Sequence, residues 1–453
     1  MIINQASPID YRNYNYNIAQ CFFGLILFFL LSHLQAGEVK KNAGPPSAAG
    51  SSTTDGVANE RGFSIGDGLS NERGFSTEDG SVRETDFSKE TGFSKENGIS
   101  KPAGFSKKII ITTGVERDSN PGQDENDNKP VWIYSITPQL LLDYNSEVNR
   151  LYLDAALFVQ QHSNEENLVD REDPRITIGW DRTYESGMYG VNVNFTERST
   201  RGEELRTTGA FRGVENTART KALGAVWEHK VAPRWTVLTD GDYSDNTFTE
   251  VGVLSDYTLA NARSKLTYEY SDRLNTHLQL GYGRLSPDKT FKDTDVARLA
   301  IGADYELTDA LTVSSRVAAY NLSGRQSDSD WEAGVKLAYT AGRAVYRAEL
   351  NRELAASGVG GFQKTDILGL GLLYTLSEVD TLGANYIFYR AREDNQVNLG
   401  YTDFKQIGAF YERVLSGSWR GQANIAFRER ESTGTHSNGN VIGVSLVYDG
   451  LSF

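Results

Sequence analysis

Between Ile109 and Phe453, apolar and polar residues alternate with a period of two in one segment after another. This is the pattern of β-strands with one apolar and one polar face. In SWRGQANIAFRE (418–429), Trp419, Gly421, Ala423, Ile425 and Phe427 share one face, and Arg420, Gln422, Asn424 and Arg428 share the other. DWEAGVKLAY (330–339) sets Trp331, Ala333, Val335, Leu337 and Tyr339 against Glu332, Lys336 and Ala338, and MYGVNVNF (188–195) sets Tyr189, Val191, Val193 and Phe195 against Asn192 and Asn194. Short polar turns join strands in pairs: KVAPR, SDRLN, LTDAL, YTAGR, SEVDT and LSGSW. Longer polar connections follow between the pairs: RTTGAFRGVENTAR (206–219), SDNTFTEVGVLSD (244–256), ELAASGVGGFQKT (353–365), RAREDNQVNLGYT (390–402) and RERESTGTHSNG (428–439). Such alternation places short turns at one end of the strands and long loops at the other.

These features predict an all-β fold: a transmembrane antiparallel up-and-down β-barrel of about 18 strands, with 16 as the alternative count. In hydrocarbon the sheet has to close, because an open edge would leave N–H and C=O groups unpaired. At this strand number the interior is wide enough for water. A soluble propeller is the competing all-β architecture, but the polar faces are too charged for its interior and the turn lengths do not repeat by fours. Aromatic residues near strand ends, at Tyr268, Tyr270, Tyr339, Tyr374, Phe388 and Tyr389, suit interfacial girdles.

The chain stops on a strand, NVIGVSLVYDGLSF, whose alternation shifts phase between Tyr448 and Leu451, so a bulge is expected at Asp449–Gly450. A terminal aromatic, Phe453, with Leu451 two residues back, resembles the assembly signal of substrates of the bacterial barrel-assembly machinery; Asp449 departs from that pattern. The hairpins YEYSDRLNTHLQLGYG, YELTDALTVSSRVAAY, YTLSEVDTLGANYIFY and YERVLSGSWRGQANIAF share a cadence of aromatic residue, short polar turn and return strand. In this the chain resembles an outer-membrane β-barrel porin family found with exopolysaccharide gene clusters. The resemblance covers residues 109–453. It implies an outer-membrane pore for polysaccharide export and carries over no residue-level site.

The region before the barrel differs in composition. CFFGLILFFLLS (21–32), followed by Ala36, has the length of a signal-peptide apolar region and is too short to span a bilayer. Residues 1–36 are therefore expected to be a cleaved signal peptide, with an uncleaved anchor as the alternative. Residues 37–58 are a Gly/Ser/Pro linker. Residues 59–106 hold eight tandem hexads, such as KETGFS and KENGIS, with Gly at the fourth position in all but one unit. One apolar residue per unit buries too little to offset backbone ordering, so a disordered periplasmic segment is expected. Weak partner binding or a loose plug are its alternatives. GFSIG at Ser64 matches a nucleophile motif but lacks the strand-to-helix elbow that motif requires.

Charge and composition narrow the function. The net charge is −14, which argues against a nucleic-acid partner. Mean hydropathy is −0.46, so no bundle of membrane helices is expected. Cys21, the single cysteine, falls in the expected signal, which leaves no disulfide framework and no thiolate chemistry. The polar strand faces nominate a mixed lining of Asp154, Asp240, Asp242, Glu269, Asp304, Glu306, Glu332 and Glu349 with Lys265, Arg298, Arg316, Lys336, Arg347, Arg420 and Arg428. A lining of both signs implies weak charge selectivity. His162, His229, His277 and His436 are scattered without a nucleophile, so no enzyme is expected. No cofactor or metal site is expected either: DENDN (124–128) opens like a calcium loop but lacks its Gly and terminal Glu. The chain therefore reads as an outer-membrane barrel forming an aqueous pore, for exopolysaccharide or hydrophilic solutes. A structural or adhesive barrel is the alternative, and an outer-membrane hydrolase the remoter one. Its expected partners are outer-membrane lipid and lipopolysaccharide, the barrel-assembly machinery and periplasmic polysaccharide-export components.

Overall fold

The computed structural model describes residues 104–452, apart from residue 124 and segments 126–128, 165–167, 209–216, 250–253, 289–291, 325–326, 396–397 and 433–434. The expected signal, the linker, most of the hexad run, most of DENDN, Phe453 and the side chain of Leu451 lie outside the described residues. The strands are β1 (Gly104–Asp118), β2 (Val131–Asn145), β3 (Asn149–His162), β4 (Arg171–Tyr184), β5 (Gly187–Ser199) and β6 (Thr217–Ala232). There follow β7 (Trp235–Phe248), β8 (Tyr257–Ser271), β9 (Leu274–Pro287), β10 (Thr294–Thr308), β11 (Leu311–Gly324) and β12 (Asp328–Ala341). The last six are β13 (Ala344–Ser357), β14 (Gly361–Thr375), β15 (Asp380–Asn395), β16 (Asn398–Ser416), β17 (Trp419–Ser432) and β18 (Thr435–Ser452). A helix, α1 (Thr200–Thr208), follows β5.

Each strand pairs antiparallel with its sequence neighbours, and β1 pairs with β18, so the 18-stranded sheet closes on itself. Closure satisfies the edge groups that a bilayer would leave unpaired. Connections at the end where β1 starts and β18 finishes are two to four residues long. The bulge expected near the C-terminus is present: Ile109 faces Leu451 but Ile110 faces Asp449, which leaves Gly450 between them.

Directly opposed residues share a face in an antiparallel ladder, so the register fixes which side chains point out. Ile301 faces Leu278 and Val317, and Leu299 faces Leu280; all five are exposed. The same phase carries Trp132, Ile136, Ile178, Val193, Leu223, Ile407, Ile425 and Val444 around the circumference. Near the short-turn rim this face ends in cross-strand aromatic pairs: Trp180–Tyr189, Trp235–Tyr268, Tyr339–Tyr346 and Trp419–Tyr448, with ring centroids 4.6–6.1 Å apart. Ten residues separate Tyr134 from Tyr144 on β2, about 33 Å along the strand and about 25 Å along the axis at a tilt of about 40°. That is the height of an outer-membrane apolar band. Ile301, at mid-strand and 63% exposed, tests it. Replacing Ile301 with Arg is expected to destabilise the barrel in lipid vesicles by about 2–4 kcal/mol, read by urea unfolding, with a much smaller effect near a rim.

Three expectations need correction. The barrel opens at Gly104, inside the last hexad, rather than at Ile109, because Gly104–Lys108 continue the ladder against Leu141–Asn145. The stretches 353–365, 390–402 and 428–439 are largely strand rather than loop. Beyond the apolar band a polar strand keeps its backbone pairing while water takes both faces, so polarity there does not signal a loop. Tyr389 is not part of an outer girdle: it occupies the opposite phase to Phe388 and packs against buried Phe404.

Candidate functional site

All fifteen charged candidates lie on the face opposite the exposed apolar residues. Ion pairs that skip a strand show that this face is concave. Arg298 of β10 reaches Glu332 of β12 at 3.2 Å, and Arg428 of β17 reaches Asp118 of β1 at 2.5 Å. The register brings most candidates to partners. Asp154 accepts from Gln139 (2.8 Å) and lies 3.5 Å from Arg175; Asp240 binds Arg263; Asp242 accepts from Asn261. Lys336 lies 3.6 Å from Glu349, which Asn351 also contacts, and Arg420 lies between Glu412 and Asp449. Asp304 stands 3.9 Å from His277. Glu269, Glu306 and Lys265 have no ion-pair partner among the described residues. Arg347 opposes Ala338 and Gly371. The candidates without an ion pair, Glu269, Glu306 and Lys265, therefore all lie toward the short-turn half, where Asp304 stands beside His277.

A signal missed in the sequence is glycine on the inner face. At Gly179 an added Cβ would lie 2.2 Å from the ring of Tyr152. At Gly334, Gly408 and Gly443 it would lie 2.5–2.7 Å from the amide oxygens of Asn351, Asn385 and Asn424. In each case the larger side chain lies flat along the wall over its glycine neighbour instead of projecting inward. The lumen is wider for it. Gly179→Ala is expected to lift Tyr152 into the lumen and lower single-channel conductance, with little change in the circular dichroism of the folded barrel.

The long-loop half is narrower. Helix α1 leaves β5 and lies against β13 and β14, eight strands further around the barrel. The carbonyl of Thr208 accepts from Thr365 Oγ1 at 2.5 Å, and Arg201 Nη1 donates to the carbonyl of Pro121 at 2.8 Å. Thr365 and Thr208 are buried, so the helix crosses the interior. From the other side comes the tip of the β13–β14 hairpin. Leu354, Ala356 and Phe362 pack in a buried cluster with Tyr257, Leu259, Leu285, Val296, Tyr320 and Leu322, which belong to the inner phase of β8–β11. Glu332, with its side chain 3% exposed, holds this tip. It accepts from the Leu354 N–H at 3.2 Å while pairing with Arg298 and, at 3.8 Å, with Arg316; Arg298 also donates to the Leu354 carbonyl. Among the described residues no cluster of His, Cys, Asp and Glu is placed to hold a metal ion.

Fold and site together define a closed 18-stranded barrel with an apolar outer band, a polar wet half-lumen and an internal constriction. No family model matches the sequence, and no curated protein matches it. Solved structures of similar fold include Pseudomonas aeruginosa OpdQ, at 12% identity and a TM-score of 0.45 over 77% of this chain and 99% of that one. Acinetobacter baumannii OccAB3 aligns at 9% identity and 0.45 over 77% and 99%. The P. aeruginosa ferric enterobactin receptor PfeA aligns at 7% and 0.43 over 78% and 81%. Neither identity nor TM-score reaches a level at which function passes between chains.

Proposed function

We propose that this protein is an outer-membrane channel that passes small hydrophilic solutes, with a weak preference for cations. The observation that carries the reading is the two-faced wall: an aromatic-edged apolar band about 25 Å high outside, and an inner face of ion pairs and flattened polar side chains. Hydrocarbon matches the first and only water matches the second. Outer-membrane barrels keep their short turns on the periplasmic side, so the rim where β1 begins faces the periplasm. Paired charges cancel one another's field, so selectivity falls to Glu269 and Glu306, with Asp304 on the same wall, and these carboxylates raise the local cation concentration. Passage of a secreted polysaccharide is the second reading. It is favoured by Tyr152 and Phe410, which lie along the inner wall over Gly179 and Gly383 and offer ring faces to sugars. Helix α1 and the hairpin tip obstruct a threaded polymer, and small solutes fit better. Planar-bilayer recording of the full chain is expected to show conductance steps and a reversal potential on the cation side in a salt gradient. Absence of steps from the full chain, and from a variant whose constriction has been opened, counts against any channel reading.

A further inference from the structure

The hairpin tip that narrows the lumen has left matching vacancies in the wall beside it. Pairing of β12 with β13 stops at Ala333–Arg352, although β12 continues to Asp328 and β13 to Ser357. The five β12 residues 328–332 thus face no strand on that side, and the five β13 residues 353–357 are paired with β14 alone. On the other flank, pairing of β14 with β15 stops at Lys364–Arg392, although β15 runs on to Asn395 and β14 begins at Gly361. Both vacancies equal in length the segments that have left them.

The vacated edge of β12 is closed by its own side chains. The N–H of Ser329 donates to Asp328 Oδ1 at 2.8 Å and that of Trp331 to Asp330 Oδ1 at 2.9 Å. Lys364 of β14 then clamps both aspartates, at 2.6 and 2.8 Å. Arg352 lies over the Trp331 ring at 4.4 Å and within 3.4 Å of Asp330. These are side-chain substitutes for a missing ladder, and each can be returned to water. A strand edge held only by such substitutes can still take a strand, and the natural partner here is the segment that left.

We propose that the β13–β14 hairpin tip is a gate with two positions: folded onto the inner apolar cluster, as observed, or upright in the wall, paired with β12 and β15. Continuing the register from Ala333–Arg352 sets Trp331 opposite Leu354, Ser329 opposite Ala356 and Asp328 opposite Ser357, so both strands end flush. Leu354, Ala356 and Phe362 carry the outer phase of their strands, the phase of Leu350 and Leu368. Upright, they would rejoin the outer face, and the lumen would lose the element that blocks it. The two positions compete for the same residues: Glu332 holds Leu354 only in the folded one. The gating role rests on the channel reading, whereas the second position of the hairpin does not.

Locking each position tests it, because Cys21 is the chain's single cysteine and Cys21→Ser removes it. In the full chain, Ser255→Cys with Gly358→Cys bridges the folded position, where the Ser255 N–H donates to the Gly358 carbonyl at 2.6 Å. Ser329→Cys with Ala356→Cys bridges the upright one, where the Cα separation of an opposed pair suits a disulfide. In the observed fold Ala356 is buried inside while Ser329 bonds Asn321 on the outer face, so the second bridge forms only if the tip swings. Both bridges are expected by mass spectrometry after mild oxidation. The upright lock is expected to conduct severalfold more than the folded lock, a difference that dithiothreitol abolishes. The proposal is overturned if the Ser329/Ala356 pair stays reduced where the Ser255/Gly358 pair oxidises, or if both form and conduct alike. Conductance absent from every form, including the upright lock, overturns the channel reading instead, and the cross-link still reports the hairpin's second position.

Discussion

Replacing Arg428 with Met is expected to cost the barrel about 3–5 kcal/mol of unfolding free energy, because a buried carboxylate loses the cation that pairs with it. Asp118 and Arg428 are the most deeply buried ion pair described, with side chains 0% and 3% exposed. Asp118 also accepts the Asn120 N–H at 3.0 Å, which turns the β1–β2 connection inward, and the Asn120 side chain donates to the Asn438 carbonyl of β18. The pair joins β17 to β1 across β18 and so lies over the seam that closes the barrel. Without the guanidinium, the Asp118 carboxylate stays buried beside that seam without its closest cation, while the Asn120 N–H still donates to it. Asp118→Leu combined with Arg428→Met is expected to recover most of the loss, since an apolar pair of similar volume removes the stranded charge. Urea unfolding of the refolded full chain in lipid vesicles, followed by tryptophan fluorescence, gives the double-mutant cycle. Equal destabilisation by the single and double replacements would show that the pair's worth is packing and not charge.

The two-residue alternation made the wall legible because a closed barrel in lipid leaves no freedom about phase. A residue on β10 such as Ile301 has to face out, and Arg298, three positions back, has to face in. The same rule located the charged inner residues without any knowledge of their partners. The constriction was illegible for the complementary reason. Leu259, Leu285, Val296 and Leu322 occupy the polar phase of their strands and read as lapses in the pattern, although they form the surface on which Leu354 and Phe362 fold. That pairing is between strands far apart in sequence, and nothing in ELAASGVGG announces that β13 leaves its neighbour after Arg352. The inner glycines were visible but mute, because their meaning depends on which side chain lies across the ladder. Loop boundaries failed where strands rise above the bilayer, since polarity there reports water on both sides and not the end of hydrogen bonding.

Glu332 both compensates two arginines and holds the constriction, and two replacements separate those roles. Glu332→Gln keeps an oxygen that can accept the Leu354 N–H, so the hairpin tip is expected to stay folded and conductance to change little. It removes a negative charge and leaves Arg298 and Arg316 uncompensated. A unit charge about 6 Å from a permeant ion in wet surroundings is worth about 0.7 kcal/mol. The change favours anions and disfavours cations equally, so their permeability ratio is expected to move about tenfold toward anions. The reversal potential in a salt gradient reads this directly, and low ionic strength keeps screening from masking it. Glu332→Ala removes the acceptor as well. It is expected to show the same shift in selectivity together with a larger or more frequently opening conductance, because the folded tip has lost the carboxylate that binds its backbone. If both replacements leave the reversal potential unmoved, permeant ions do not pass within reach of Glu332, and the conducting path lies on the opposite side of the lumen from β10–β12.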